Sequence, residues 1–185
     1  MAREFALPAL SDERVVVRGW RDEDAAALRP ACGDPEICRF TTVPRHYTIE
    51  DARDWIARQQ AHARNGTAVV LAIVPRPGDR PVGMVGLFGL HKPGLTAQFG
   101  YWLIAGARGQ GLVSAATTLL AEWGFTRLQL DAIEIDREPA NHASARVAER
   151  LGAVITGSRR VRYEGAEVEL VRHTLNSPNR PTDHE

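Results

Sequence analysis

Apolar residues along this chain alternate in some stretches and recur every three to four positions in others, and that rhythm predicts a succession of strands and helices. Arg14 to Trp20 holds the β-branched run Val15, Val16, Val17 and reads as a strand. Asp22, Glu23 and Asp24 then set negative charge at the start of a helix through Leu28. A short helical piece is expected over Pro35 to Arg39. Thr48 with Asp51 is an N-cap pattern, and Ile49, Ala52, Trp55 and Ile56 share one face of a helix that Asn65-Gly66 ends. Thr67 to Val74 is apolar at both alternating sets of positions, as in a central strand covered on two sides. The turn-rich Pro75 to Pro81 separates it from an antiparallel partner, Val82 to Phe88.

Thr96 to Leu103 is the next expected strand, followed by a glycine-rich turn, a helix over Leu112 to Phe125 and a strand over Leu130 to Asp136. Asn141 to Leu151 is amphipathic through Ala143, Val147 and Leu151, with Gly152 where a left-handed cap belongs. Two strands close the chain, Ala153 to Tyr163 and Val168 to Leu175, joined at Glu164-Gly165. The pattern adds up to an α+β fold, mostly antiparallel, with one strand-helix-strand crossover near its middle.

The 185 residues fit one domain, placed at 1–175, with a flexible tail at 176–185 that carries no aliphatic side chain. Lys+Arg and Asp+Glu both number 23, so no global field draws the chain to nucleic acid or to a membrane surface. A bound anion must then be held by a local site. Cys32 and Cys38 match neither a disulfide framework nor a redox pair, and a cytoplasmic setting is expected. Met1 to Leu10 lacks an apolar signal core, and the longest uncharged run, Pro93 to Ala107, is too short to span a bilayer. The histidines show no H-x-x-x-H pairing and no neighbouring cysteine, so no metal is expected. Trp20, Trp55, Trp102 and Trp123 read as core or pocket wall.

The stretch with chemistry in it is Arg108-Gly-Gln-Gly111, which leads from a strand into a helix. Glycines there put no Cβ in the way of a phosphate, the first amides of the helix converge, and Arg108 offers a planar donor fork. The same glycines suit a plain tight connection. No Gly-Lys-Ser/Thr follows, and the spacing is not G-x-G-x-x-G, so the P-loop and dinucleotide readings are disfavoured.

Arg108-Gly-Gln-Gly-Leu-Val113 resembles the R/Q-x-x-G-x-G/A pyrophosphate turn of the GNAT N-acetyltransferases, preceded here by Phe99-Gly-Tyr-Trp-Leu103. Downstream, Ile133-Glu134 and Pro139-Ala-Asn-His-Ala-Ser-Ala-Arg-Val-Ala-Glu-Arg-Leu-Gly-Ala153 are similar to the I-E-x(6)-N-x-A-S-x-x-V-x-E-x-x-G-F signature of the RimJ/RimL group. Val15 to Asp24 resembles that group's L-R-P-W-x-x-x-D opening, so the resemblance covers Arg14 to Leu175. It implies a GNAT-like mixed, mostly antiparallel central sheet flanked by helices, with a splayed strand pair at the cofactor site. It implies acetyl-CoA as co-substrate, no metal, and acetyl transfer to a primary amine by direct attack in a ternary complex. The acceptor would be a small molecule or a protein N-terminus, and a homodimer would suit the group. The alternative is a non-catalytic acyl-CoA-binding or regulatory module.

By the same resemblance, Trp102, Leu103 and Ile104 lie along the pantetheine, with an amide near Leu103 or Ile104 polarising the thioester carbonyl. Arg108, Gly109, Gln110, Gly111, Leu112 and Val113 hold the pyrophosphate. Asn141 either contacts the cofactor or only caps its helix. Ser144 either donates a hydrogen bond to the leaving thiolate or belongs only to the same helix start. Glu134 matches a family acid, although an acid there equally suits a surface ion pair with an arginine. His46 and Tyr47 border the acceptor pocket or seal the core. Three departures stand out: Gln98 where the group often has glutamate, Val113 for a small residue, and Ala105 for a frequent proline. Glutamine takes no proton from an amine, and the other two changes predict a wider or less rigid turn.

Overall fold

Residues 6–43, 48–90, 95–163 and 165–178 are described by the computed structural model. Its strands are β1 (Leu10–Ser11), β2 (Val15–Gly19), β3 (Ala68–Pro75), β4 (Gly83–Phe88), β5 (Thr96–Leu103), β6 (Ala132–Arg137), β7 (Val154–Tyr163) and β8 (Ala166–Asn176). Its helices are α1 (Ala25–Cys32), α2 (Pro35–Phe40), α3 (Ile49–Arg64), α4 (Leu112–Arg127) and α5 (His142–Arg150). The strands form one sheet in the order β1-β2-β3-β4-β5-β6-β8-β7. Every neighbouring pair is antiparallel except β5 with β6, which the α4 crossover makes parallel.

The two-sided pattern of β3 explains the layers. Its alternating side chains point to opposite faces. Val69, Leu71 and Ile73 pack on one face with Leu112, Ala116 and Leu120 of α4, while Val70, Ala72 and Val74 pack on the other with Trp20, Leu28 and Ile56. Burying each of these aliphatic side chains is worth about 1.5–3 kcal/mol. The same alternation assigns the later strands: Ile133 and Ile135 of β6 join the α4 core, so Glu134 and Asp136 face the α1–α3 side.

The functional consequence lies at the parallel pair. Only Thr96, Ala97 and Gln98 of β5 pair with β6, opposite Ala132, Ile133 and Glu134. Beyond Gln98 and Glu134 the two strands part, while β5 stays paired with β4 as far as Leu103 and β6 with β8 as far as Arg137. The splayed pair implied by the resemblance is therefore present.

Several expectations shift at the ends of elements. The segment from Asp22 starts as a 3-10 turn, Asp22–Asp24, because the Asp24 carboxylate accepts from the Arg21 amide and pairs with Arg18 at 2.6 Å. Helix α1 then runs past Leu28 to Cys32. Thr48 caps α3 as expected, in a reciprocal box with Asp51. Strand β1, joined to β2 through Leu10–Val17 and Ser11–Val16, is too short to show a period in the sequence. Strand β8 begins at Ala166, two residues before the predicted Val168, and lies between β6 and β7. The turn residue Glu164, and 179–185 of the tail, fall outside the described residues.

Candidate functional site

The gap between β5 and β6 opens into a cleft of about 1140 Å³, walled by β5, the turn that follows it, the start of α4, and α5. Backbone directions follow from one hydrogen bond. The Ile104 amide donates to Val82 O at 3.0 Å, so on an antiparallel ladder the amides of Trp102 and Gly100 also face β4, and those of Leu103, Tyr101 and Phe99 face the gap. The Leu103 carbonyl agrees, since it accepts from Arg108 Nε at 3.2 Å on that open side. This corrects the expectation for Ile104. Its amide is used by Val82, its side chain packs between the two cores, and it does not line the cleft. Leu103 keeps its place, and the Trp102 side chain forms buried wall.

The turn after β5 is held in shape by its own residues. Gly109 and Gly111 have φ of 77° and 75°, a left-handed geometry that glycine adopts without strain. Gly111 is the N-cap of α4 and brings no capping side chain, so the first-turn amides of Leu112, Val113 and Ser114 have no intrahelical acceptor. A side chain at Gly109 would meet open space, whereas one at Gly111 would meet the guanidinium of Arg14 at 3.1 Å. Arg14, distant in sequence, thus stands beside the turn, and nothing in the motif signalled it. Gln110 folds back to donate to Gly106 O and lines no part of the cleft.

Arg108 is engaged with protein groups. Besides Leu103 O, its guanidinium reaches Asp34 at 2.6 Å and Glu36 at 2.9 Å. Asp34 is also the N-cap of α2, accepting from the amides of Glu36 and Ile37. Burial pushes the Asp34 carboxyl up, but the Arg108 hydrogen bond and these amides outweigh it and hold it below the ordinary value. The donor fork expected to face a phosphate instead fastens α2 to the end of β5, although Arg108 still borders the cleft.

On α5, Asn141 accepts from the Ser144 amide at 3.0 Å and so caps the helix, while also lining the cleft. Ser144 is buried at 8% exposure, borders the cleft, and its Oγ lies 2.9 Å from the Tyr101 hydroxyl. Burial pushes the Tyr101 phenol up to about 12, against the Ser144 hydrogen bond and the charge of Arg137, so it is neutral at physiological pH. Tyr101 is a site residue that sequence reasoning missed. The available signal was its alternation with Phe99 and Leu103, which sets it on the α5 side of β5.

Glu134, the acidic candidate, and Asp136 lie on the opposite face. Arg172 binds Glu134 at 2.9 Å and Asp136 at 2.8 Å, Arg159 binds Asp136 at 2.7 Å, and the Gln98 side-chain amide donates to Asp136 at 2.6 Å. Burial raises the Asp136 carboxyl, but Arg172 and Arg159 prevail and keep it below the usual carboxylate range. Glu134 borders neither the cleft nor the smaller cavity beside it. Glu134, expected either as an acid of the reaction or as the partner of an arginine, is paired with Arg172.

That smaller cavity, about 220 Å³, shares Phe40, Thr41, Thr42, Asp136 and Asn141 with the cleft. His46 and Tyr47 lie outside the described residues. Cys32 borders the cleft, but burial pushes its thiol up to about 11, which leaves it protonated and a poor nucleophile. Among the described residues, no group of three or more His, Cys, Asp or Glu is placed to hold a metal ion, and no helix is long and apolar enough to cross a membrane.

Over residues 14–154 the chain matches the family described as Acetyltransferase (GNAT) domain. It is 29% identical over 165 residues to the uncharacterized N-acetyltransferase p20 of Bacillus licheniformis, covering 89% of this chain and 92% of the relative. Its fold is similar to that of Mycobacterium smegmatis RimJ in complex with CoA-disulfide, with a TM-score of 0.82 at 23% identity over 95% of this chain and 90% of that one. It is similar also to that of RimL, a ribosomal L7/L12 α-N-protein acetyltransferase in complex with coenzyme A, with a TM-score of 0.80 at 18% identity over 92% and 97% of the two chains.

Proposed function

The chain belongs to the GNAT acetyltransferase family, and from that premise we propose that this N-acetyltransferase passes acetyl from acetyl-CoA to a weakly basic amine, a peptide N-terminus foremost, by direct attack with both substrates bound. The observation that carries the reading is the parting of β5 from β6 directly upstream of the glycine turn, with Ser144 facing the opening. The uncapped first turn of α4 and the open space over Gly109 suit a pyrophosphate. The gap-facing amides of Tyr101 and Leu103 suit the peptide-like groups of a pantetheine arm. RimJ and RimL, which share the fold, are in complex with CoA species, and RimL acts on the α-amine of a ribosomal protein.

In the transfer, the amine nitrogen forms a bond to the acetyl carbon, the carbon–sulfur bond breaks, and sulfur takes the electron pair. The proton the amine gives up balances the one the thiolate finally takes. Leu103 N–H is the backbone donor for the carbonyl oxygen as charge develops there. Ser144 is the hydrogen-bond donor to the leaving sulfur, whose pKa near that of a cysteine thiol, about 8.5, already makes it a fair leaving group. The acceptor enters by the smaller cavity, over Phe40 and Asp136.

The preference for a weakly basic amine rests on the described carboxylates and amide beside the gap, none of which is free to take a proton. Gln98 carries no carboxylate, Glu134 is tied to Arg172, and two arginines hold Asp136 too acidic for an efficient base. The amine must arrive neutral. The test is a thiol-release assay with acetyl-CoA across peptides with free or blocked N-termini, polyamines and lysine side chains. Turnover is expected with free N-termini, rising with pH through the amine pKa. Fast acetylation of lysine or polyamine, already at plateau by pH 7, overturns the acceptor reading.

A further inference from the structure

Ser144 can donate toward a ligand only if its one proton is not taken by the protein, and the geometry around Tyr101 decides where that proton goes. The Tyr101 hydroxyl has two oxygens near it, Ser144 Oγ at 2.9 Å and the Ser144 carbonyl at 3.5 Å. An O–H···O bond has its usual length at about 2.5–3.0 Å, so of the two protein oxygens the carbonyl is the weaker acceptor for this half-buried phenol. The well-placed acceptor for the phenolic proton is therefore Ser144 Oγ. If the roles were reversed, with Ser144 donating to Tyr101, the phenolic proton would have only the distant carbonyl among the protein acceptors of the described residues.

We propose that Tyr101 is a positioning residue for acetyl transfer: it donates its proton to Ser144 Oγ and thereby turns the Ser144 O–H into the cleft, toward the sulfur of bound CoA. This rests on the acetyl-CoA reading above and adds to it a residue that touches the reaction only through Ser144. Three features hold the pair. The Tyr101 ring is fixed edge-on against Phe99, with centroids 6.4 Å apart and an interplanar angle of 66°. Ser144 is fixed at the backbone by the Asn141 cap. Chains of hydroxyls polarise one another, so donation by Tyr101 also strengthens Ser144 as a donor. The arrangement operates at the moment the carbon–sulfur bond breaks and the sulfur gains charge, and no proton need leave either hydroxyl.

The test compares the parent with Tyr101→Phe, Ser144→Ala and the double variant, first as CoA complexes and then in turnover. The pKa of bound CoA thiol is read from thiolate absorbance, with the free protein subtracted, which requires no acceptor. Ser144→Ala should raise that pKa, Tyr101→Phe should raise it by a smaller amount, and the double variant should match Ser144→Ala. In turnover, Tyr101→Phe should lower kcat roughly three- to tenfold, about one hydrogen bond's worth, with KM for acetyl-CoA held. Adding it to Ser144→Ala should cost nothing more. The proposal is overturned if Ser144→Ala moves the thiol pKa and Tyr101→Phe does not, or if the two losses multiply in the double variant. If Ser144→Ala itself leaves thiol pKa and kcat at parental values, the Ser144 role fails, and this inference with it. CoA failing to bind the parent overturns the cofactor reading as a whole.

Discussion

The glycine turn after β5 and the carboxylate–arginine cluster beside β6 are both polar, and they differ in what they leave available. At the turn, the backbone is bent by Gly109 and Gly111, and the first amides of α4 stay uncapped. In the cluster, Gln98, Glu134, Asp136, Arg159 and Arg172 are hydrogen-bonded to one another. A site rich in charge can thus be chemically quiet, because each charge already has its partner, while a site with little charge is ready for an anion. Arg108 marks the boundary between the two kinds. It sits in the turn's motif yet behaves like a member of the cluster, bound to Asp34 and Glu36.

The largest effect by which to break this comparison is acceptor choice. At pH 7 a peptide α-amine of pKa about 7.8 is roughly 14% neutral and a lysine amine near 10.4 about 0.04%, a gap of about 300-fold. With the cluster supplying no base, kcat/KM for matched peptide and lysine acceptors should differ by about that factor at pH 7 and converge as pH rises. A ratio near one at pH 7 would show that a side chain of the site, a cluster carboxylate or His142 on the cleft wall, takes the proton.

Next in size is Ser144→Ala, expected to lower kcat by up to about a hundredfold, the low end of acid catalysis, with CoA affinity measured by calorimetry unchanged. Unchanged turnover, measured where chemistry limits the rate, would return Ser144 to the helix start alone.

Arg108→Ala sharpens the boundary. Removing it strands the buried Asp34 carboxylate, so the melting temperature should fall, by the equivalent of about 1–3 kcal/mol. CoA affinity of the folded protein should weaken less than in a variant that disturbs the turn itself, such as Gly109→Val, where a β-branched residue meets a positive φ. Unchanged melting with lost CoA affinity would instead make Arg108 a phosphate ligand.

Acid stability gives a smaller signal. Asp34 and Asp136 have depressed folded pKa values, so their stabilisation is present above the unfolded carboxylate value of about 3.9 and is lost as pH falls through the folded ones. Asp136→Asn should therefore be less stable than the parent at pH 7 and show a shallower loss below pH 4, measured by urea unfolding. The smallest effect is expected for Glu134→Gln: turnover within about twofold of the parent, as for a substitution away from the reacting groups. A hundredfold loss there would restore Glu134 as an acid or base.

Legibility followed the range of the interactions. The Asn141 and Thr48 caps, the two-faced β3 and the bent turn each depend on residues within a few positions, and each could be read directly. The Ser144 and Tyr101 hydroxyls meet across 43 positions, Gln98 and Asp136 across 38, and Arg108 and Asp34 across 74. No local pattern encodes those partners.

By itself the sequence determined the order of elements from β2 onward, the α4 crossover, the glycine turn and which side chains share a strand face. Those follow from backbone geometry and from the period of each element. The tertiary structure decided the rest. The register of β5 on β4 directs the Leu103 amide into the gap and takes the Ile104 amide out of it. Placing β8 between β6 and β7 delivers Arg172 to both acids and so gives Glu134 its partner. The docking of α5 beside β5 sets Tyr101 on Ser144. A backbone conformation is fixed by its own residues, whereas the state of an ionisable or donating side chain depends on what packs against it, and that exists only once the distant strands have paired.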